Sequence, residues 1–414
     1  MNIRSITCFV NVGDPATQSD TVRAAGRLVR EASAALESAG FPVQTTRLAT
    51  QPLYLLPAEP LELAVELWPQ CADAGFEYLS LGPVLADGPD ADPSGLSFSG
   101  QSLSRLTAIP DLIRATQSVF AGVLVARKGR GLHLGAIQRT ARIVREIAHS
   151  TELGFGNLRL AMLANVGPHT PFFPAAYHDG GPPALAIATE SADLAVAAFS
   201  EAGSLDEARG RLVAAVQAAA RQIVAQVHSL AERHGYRFAG IDFSLAPFPE
   251  EARSIGTAVE RLGVDRFGAP GTLFVASLLT DCLRRAAGAY PCCGFSGLML
   301  PVLEDATLAA RSREGLFTVN DLLLYSAVCG TGLDTVPLPG DVSEEELAGI
   351  LLDVATLALR LDKPLTARLM PIPGAKSGDL TAFDFPYFAN GRVLEVKGLG
   401  SPRLFRRGTW LEFT

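Results

Sequence analysis

Between residues 4 and 372, ten short apolar runs alternate with stretches whose apolar positions recur every three and four residues. The runs fall at 4–12, 43–50, 78–83, 119–126, 158–165, 184–189, 238–245, 298–303, 333–338 and 366–372, and helical periodicity fills most of the gaps, as at 19–38, 134–149, 205–234, 255–262, 272–285 and 343–361. Strands separated by helices pair in parallel, because a parallel connection needs a crossover that a helix supplies. The pattern predicts one α/β domain over 1–414 rather than several. Ten units exceed the eight of the common (β/α) barrel.

Two regions break the rhythm. Residues 87–95 are rich in turn formers and acids and read as an exposed loop. Near the end, apolar residues at 385–388 and 393–397 flank Asn390-Gly391, which suits a type I′ turn, so 381–414 is expected to form a β-hairpin and basic tail packed on the domain.

Composition excludes several classes. Hydrophobic residues at 48% and charged residues at 19% supply a large core and rule out wholesale disorder. A formal charge of -8 without a Lys/Arg cluster leaves no nucleic-acid surface. The N-terminus carries neither a signal-peptide core nor a membrane-spanning run, so no membrane partner and a cytoplasmic location are expected. Cys8, Cys71, Cys282, Cys292, Cys293 and Cys329 lack CxxC spacing, which signals neither a disulfide framework nor a zinc ribbon.

In a parallel sheet, functional groups gather where strands end. That filter selects Asp14, Arg127-Lys128-Gly129-Arg130-Gly131, Asn165, Glu190-Ser191, Ser244, Glu304-Asp305 and the loop around Lys376. Glu304-Asp305 could hold a hard cation or divide acid and base roles, or could cap a helix. Asp242 and Ser244 share one face of a strand, and Asp242 in so apolar a run needs a partner, whether substrate or loop amides. His178, on a glycine-rich loop, is a candidate acid, base or metal ligand. No HExxH pattern occurs, so a divalent cation depends on convergence in space, and the metal ligands are unknown. Arg127 and Lys128 could cradle an anion, but neither their turn nor the Lys376 loop has P-loop spacing, and no nucleotide motif is present. Cys292 and Cys293 are nucleophiles only if a base or cation lowers a thiol pKa.

Several of these segments resemble one family. Ile241-Asp242-Phe243-Ser244-Leu245-Ala246-Pro247, Gly294-Phe295-Ser296-Gly297 with Pro301 and Glu304-Asp305, Cys329 with Gly332-Leu333-Asp334, and Pro373-Gly374 with Lys376, Gly378 and Asp379 look like domain-of-unknown-function family 711, also called uncharacterised protein family 0210. Arg4 with Ile6-Thr7, Ile109-Pro110, Gly131, Asn165, Pro171-Phe172 and Ala176-Tyr177-His178 extend the match over nearly the whole chain. The resemblance implies a ten-stranded α/β barrel like that of the pyruvate formate-lyase-like glycyl radical enzymes, built from two five-stranded parallel halves. Radical chemistry does not follow, because Gly398-Leu399-Gly400-Ser401-Pro402-Arg403 resembles no radical-glycine motif. The chain departs from the family pattern at Leu124, Ala126, Arg127-Lys128, His133 and Cys293, which implies a different substrate from the main branch.

The expected function is a non-radical enzyme acting on a small polar metabolite at a barrel end, in a specialised biosynthetic pathway, with lyase, hydrolase or transferase-type acid/base chemistry. His178, Asp242, Glu304 and Asp305 are its catalytic candidates, and Arg127, Lys128, His133, Asn165, Ser244, Ser296 and Lys376 its substrate-binding candidates. A catalytically silent metabolite-binding or regulatory protein is the alternative. A homo-oligomer is expected in either case.

Overall fold

The computed structural model describes residues 1–56, 58–86, 100–398, 400–408 and 410–412. The expected loop at 87–95 lies outside them.

Twelve strands form in chain order: β1 (Asn2–Phe9), β2 (Thr46–Ala49), β3 (Tyr78–Ser80), β4 (Val84–Leu85), β5 (Val119–Arg127), β6 (Gly131–His133), β7 (Leu160–Ala164), β8 (Ala184–Glu190), β9 (Arg237–Ala246), β10 (Gly332–Pro339), β11 (Leu365–Ile372) and β12 (Trp410–Leu411). Nine share one path, in the order β10-β11-β7-β5-β3-β2-β1-β8-β9, while β4, β6 and β12 lie off it. Pairing is parallel from β7 through β5, β3 and β2 to β1, from β8 to β9, and from β10 to β11. It is antiparallel at β1/β8 and β11/β7. Three parallel runs are therefore joined at two antiparallel seams.

Most residues of these strands are buried, and β7, β8 and β11 are buried along their whole length. That explains the apolar runs: a sheet covered on both faces does not alternate. The covering helices include Gln18–Ser38, Leu134–Ser150, Leu205–Arg233, Thr272–Ala286 and Glu344–Arg360. The last begins with a capping box, in which Ser343 Oγ accepts from the Glu346 amide and Glu346 accepts from the Ser343 amide. Among the described residues no helix is long and apolar enough to cross a membrane.

The run at 298–303 departs from expectation. It forms isolated parallel bridges, Leu245↔Leu298 to β9 and Pro301↔Asp334 to β10, with Ile241↔Cys292 just before it. Pro301 has no N–H to give a ladder, and Gly294 at φ +63° and Ser296 at φ +40° bend the chain just ahead of it.

The terminal hairpin is likewise corrected. Neither Asn390 nor Gly391 takes a positive φ, and the pairing shrinks to one antiparallel bridge, Leu380↔Arg392. The Asn390 side chain makes the turn instead, accepting from Thr381 Oγ1 and the Phe383 amide at 2.8 Å each and donating to the Phe383 carbonyl at 3.0 Å. The tail returns to the sheet through β12, which pairs with β6. A Cβ on Gly131 would stand 2.4 Å from the Leu411 carbonyl oxygen, so glycine is what admits the tail there.

Candidate functional site

The loop after β7 runs inward and packs along the sheet. Ser5 and Thr7 of β1 donate to the Pro171 carbonyl at 3.3 and 3.1 Å, and Ser80 of β3 donates to that of Ala176 at 2.9 Å. Phe172, Phe173 and Pro174 thereby form one wall of a central cavity of about 90 Å³. Its other walls include Arg4, Arg47, Glu304, Asp334 and Arg368, with Phe385 and Tyr387 from the C-terminal segment.

The charges around the cavity pair off with one exception. Glu304 accepts from Arg4 Nη2 at 2.6 Å and from Arg368 Nη2 at 2.7 Å, while Asp334 accepts from Arg368 Nε at 2.6 Å. Glu190, behind this wall, pairs with Arg4 at 3.3 Å and with Arg253. Burial raises the Asp334 pKa, opposed by the Arg368 charge. Arg47 is the exception. Its Nε donates to Thr45 Oγ1 at 2.9 Å, its guanidinium lies 5.1 Å from the Phe173 ring centre and 5.7 Å from that of Tyr78, and no carboxylate of the described residues pairs with it. Burial first, then the Arg4 charge, push it down to about 9, which leaves it a cation at neutral pH.

The expected acidic pair divides. Glu304 faces the cavity, whereas Asp305 is a structural cap. Asp305 Oδ1 accepts from the Thr307 and Leu308 amides at 3.0 and 2.9 Å, opening the helix Ala306–Arg313, and Oδ2 accepts from the Ile255 amide at 2.6 Å. Asp242 is also structural. It accepts from the Phe295 and Ser296 amides at 2.7 and 2.8 Å and from Ser244 Oγ at 2.6 Å, and Ser244 in turn accepts from the Gly297 amide at 3.2 Å. Burial outweighs these hydrogen bonds and pushes Asp242 up to about 6.

His178 belongs to neither group. Its Nδ1 stands 2.9 Å from Asp179 Oδ1 and 3.0 Å from the Gly180 amide nitrogen, while Nε2 is buried with no hydrogen-bond partner among the described residues. His169 Nε2 lies 3.6 Å from the same carboxylate oxygen. One ligand atom from each of His169, His178 and Asp179 falls within 4.8 Å of the other two, a spacing that can hold a divalent cation, and two imidazoles with a carboxylate suit zinc-like ions. Burial lowers both histidines, His169 to about 4. Arg237 Nη2 stands 3.2 Å from His169 Nδ1 and 3.5 Å from its Nε2.

A family model described as Uncharacterised ACR (DUF711) matches residues 1–387. The chain belongs to the DUF711 family. It is 30% identical over 408 residues to a UPF0210 protein of Methanopyrus kandleri, covering 92% of this chain and 88% of that one. A UPF0210 protein of Pyrobaculum arsenaticum is 32% identical over 405 residues (92% and 87%), and one of Desulforudis audaxviator 29% over 431 residues (99% and 93%). The part matched as DUF711 includes every cavity residue named above.

Other expected ligand-binding residues of this DUF711 member lie away from the cavity walls. Arg127 and Lys128 flank the β5–β6 turn, where Lys128 pairs with Asp362 at 3.4 Å and its amide donates to Asn165 Oδ1 at 3.0 Å. His133 is the N-cap of Leu134–Ser150, its Nδ1 accepting from the Ala136 amide at 3.0 Å. Lys376 is exposed in a surface turn closed by Asp379. Ser296 holds its own loop, donating to the Cys293 carbonyl and accepting from the Phe243 amide, and Cys292 Sγ donates to Ser296 Oγ at 3.0 Å. Local desolvation raises both tandem thiols, Cys292 at an exposed position and Cys293 at a half-buried one, and the Asp242 charge adds to it, which is the opposite of nucleophile activation.

Sequence reasoning missed Arg47, Arg368 and His169. The first two carried a signal: an arginine inside an apolar strand run, Thr46-Arg47-Leu48 or Ala367-Arg368-Leu369, must meet a carboxylate or a ligand.

Proposed function

We propose that the central cavity receives a small anionic metabolite, whose negative group pairs with Arg47, and that the protein acts on it as a non-radical acid–base enzyme. The reading rests on one observation: a buried guanidinium on the cavity wall lacks a carboxylate partner among the described residues. A buried unpaired charge is costly, and an anionic ligand would offset that cost. Glu304 and Asp334 line the same cavity, and the raised pKa of Asp334 suits proton transfer. The alternative is a silent metabolite-binding protein, favoured by the arginine already held by each cavity carboxylate. The same reading makes the sheet a closed ten-stranded barrel of the pyruvate formate-lyase-like kind, with 292–301 as the strand between β9 and β10. The bridges on both sides of that segment support it.

The test incubates the purified protein with a metabolite extract and follows bound and converted small anions by mass spectrometry. An anion retained by the wild type, lost from Arg47→Gln and converted over time supports the enzyme. Retention without conversion supports the silent binder. Equal retention by both proteins removes the cavity reading.

A further inference from the structure

The charge arrangement and dimensions of the cavity say what kind of anion it would take. On the cavity wall Arg4 and Arg368 meet Glu304 and Asp334, two cations against two anions, while behind it Arg253 pairs with Glu190 and Glu250 and Arg4 also reaches Glu190. Arg47 stands beyond that balance with a single positive charge. A second negative charge on the ligand would face Glu304 and Asp334 with no cation left to it, and like charges brought together in a partly desolvated site repel strongly.

Shape narrows the choice further. The Arg47 guanidinium is held from behind by Thr45 and rests against the faces of Phe173 and Tyr78, which fixes the plane of its fork. A planar carboxylate matches such a fork with two parallel hydrogen bonds. The rest of the wall is largely apolar, with Phe120, Phe172, Phe295 and Met299 among its residues. An apolar cavity of about 150 Å³ accepts benzene. The free space here, about 90 Å³, therefore suits a body shorter than that ring. Thr331 adds one polar feature, a wall residue whose buried hydroxyl has no hydrogen-bond partner among the described residues.

We propose, resting on the cavity reading above, that the ligand is a monocarboxylate with a short apolar body. Dicarboxylates and phosphate are disfavoured by charge, amines by Arg47, and bulky aromatic acids by size.

Calorimetric titration of the full chain at neutral pH tests this with four probes: butyrate, its neutral isostere butyramide, succinate and inorganic phosphate. A ligand of about six heavy atoms should bind butyrate-like, at roughly millimolar Kd or tighter. Butyramide, succinate and phosphate should each bind at least about tenfold more weakly than butyrate, the free-energy equivalent of about 1.4 kcal/mol. Arg47→Gln should lose butyrate, and Arg47→Lys should recover part of it, because the charge returns without the fork. Succinate or phosphate binding as tightly as butyrate, still dependent on Arg47, overturns the monocarboxylate while leaving the cavity reading intact. Anion binding unchanged in Arg47→Gln, or wild type that binds butyramide as well as butyrate and neither succinate nor phosphate, overturns both. The wild-type series stands even if a variant fails to fold.

Discussion

Asp305 accepts the Ser254 hydroxyl at 2.5 Å, a contact between residues 51 apart that ties two helix starts together. Ser254 caps the helix Ile255–Arg261 and Asp305 caps Ala306–Arg313, with Asp305 also taking the Ile255 amide. One fully buried carboxylate thus serves amide donors of two helices.

Removing it strands those donors. Asp305→Ala should cost about 2–4 kcal/mol of unfolding free energy, combining cap loss with unsatisfied buried amides. Urea denaturation measures it, and a loss below about 1 kcal/mol would contradict the double cap. Butyrate binding by the folded variant should stay within about twofold of wild type, because Asp305 does not line the cavity.

Asp242 carries a pH signature. Its folded pKa of about 6 lies above the usual 3.8, so the folded state holds this proton more tightly than the unfolded chain. The sign follows: this contribution to stability is present below the unfolded value and is lost as pH rises through the folded one. Two pKa units correspond to roughly 3 kcal/mol. Asp242→Asn should therefore cost more at pH near 4 than at pH 7, read from urea midpoints at each pH. A cost independent of pH would sink the assignment.

The same loop explains Gly294. A Cβ there would lie 2.1 Å from Asp242 Oδ2, at a φ of +63° that side chains rarely adopt. Gly294→Ala should destabilise by at least about 2 kcal/mol in the same assay.

How far the sequence could be read depended on where each partner lies in the chain. Nine of the ten apolar runs became strands because burial on both faces writes itself into composition. The tenth, at 298–303, has the same composition, but its partners sit on two different strands and Pro301 breaks the ladder. Asn390-Gly391 has the right dipeptide for a hairpin, yet the Asn390 side chain makes the turn, a choice set by Thr381 and Phe383. Capping by Asp305 was one of two readings open at the sequence level, whereas its link to Ser254 was invisible. Glu304 meets Arg4 across 300 residues and Arg368 across 64, and no local pattern encodes that meeting.

The tandem thiols should be sluggish nucleophiles. Local desolvation and the Asp242 carboxylate raise Cys292, and Cys293 further, with no lysine or histidine among the described residues bonded to either sulfur. Alkylation by iodoacetamide should reach half its maximal rate only above the ordinary thiol pKa. A midpoint below that value would point to an activating group. The double variant Cys292→Ser/Cys293→Ser should keep the butyrate affinity of the wild type, since neither thiol lines the cavity.

The histidine cluster makes an opposite demand of its neighbours. A divalent ion held by His169, His178 and Asp179 would sit beside Arg237, whose guanidinium is 3.2 Å from His169 Nδ1, where a metal-bound histidine ordinarily donates to a carboxylate or carbonyl. Like charge and a misplaced donor both weaken binding, so the arginine should limit the affinity of the three ligands. Zinc titration by calorimetry should give one ion per chain in the wild type, loss of about a hundredfold or more in His178→Ala, and binding some tenfold tighter in Arg237→Ala. Unchanged affinity in His178→Ala would remove the site. Weaker binding in Arg237→Ala would mean that the guanidinium orients His169 rather than opposing the ion.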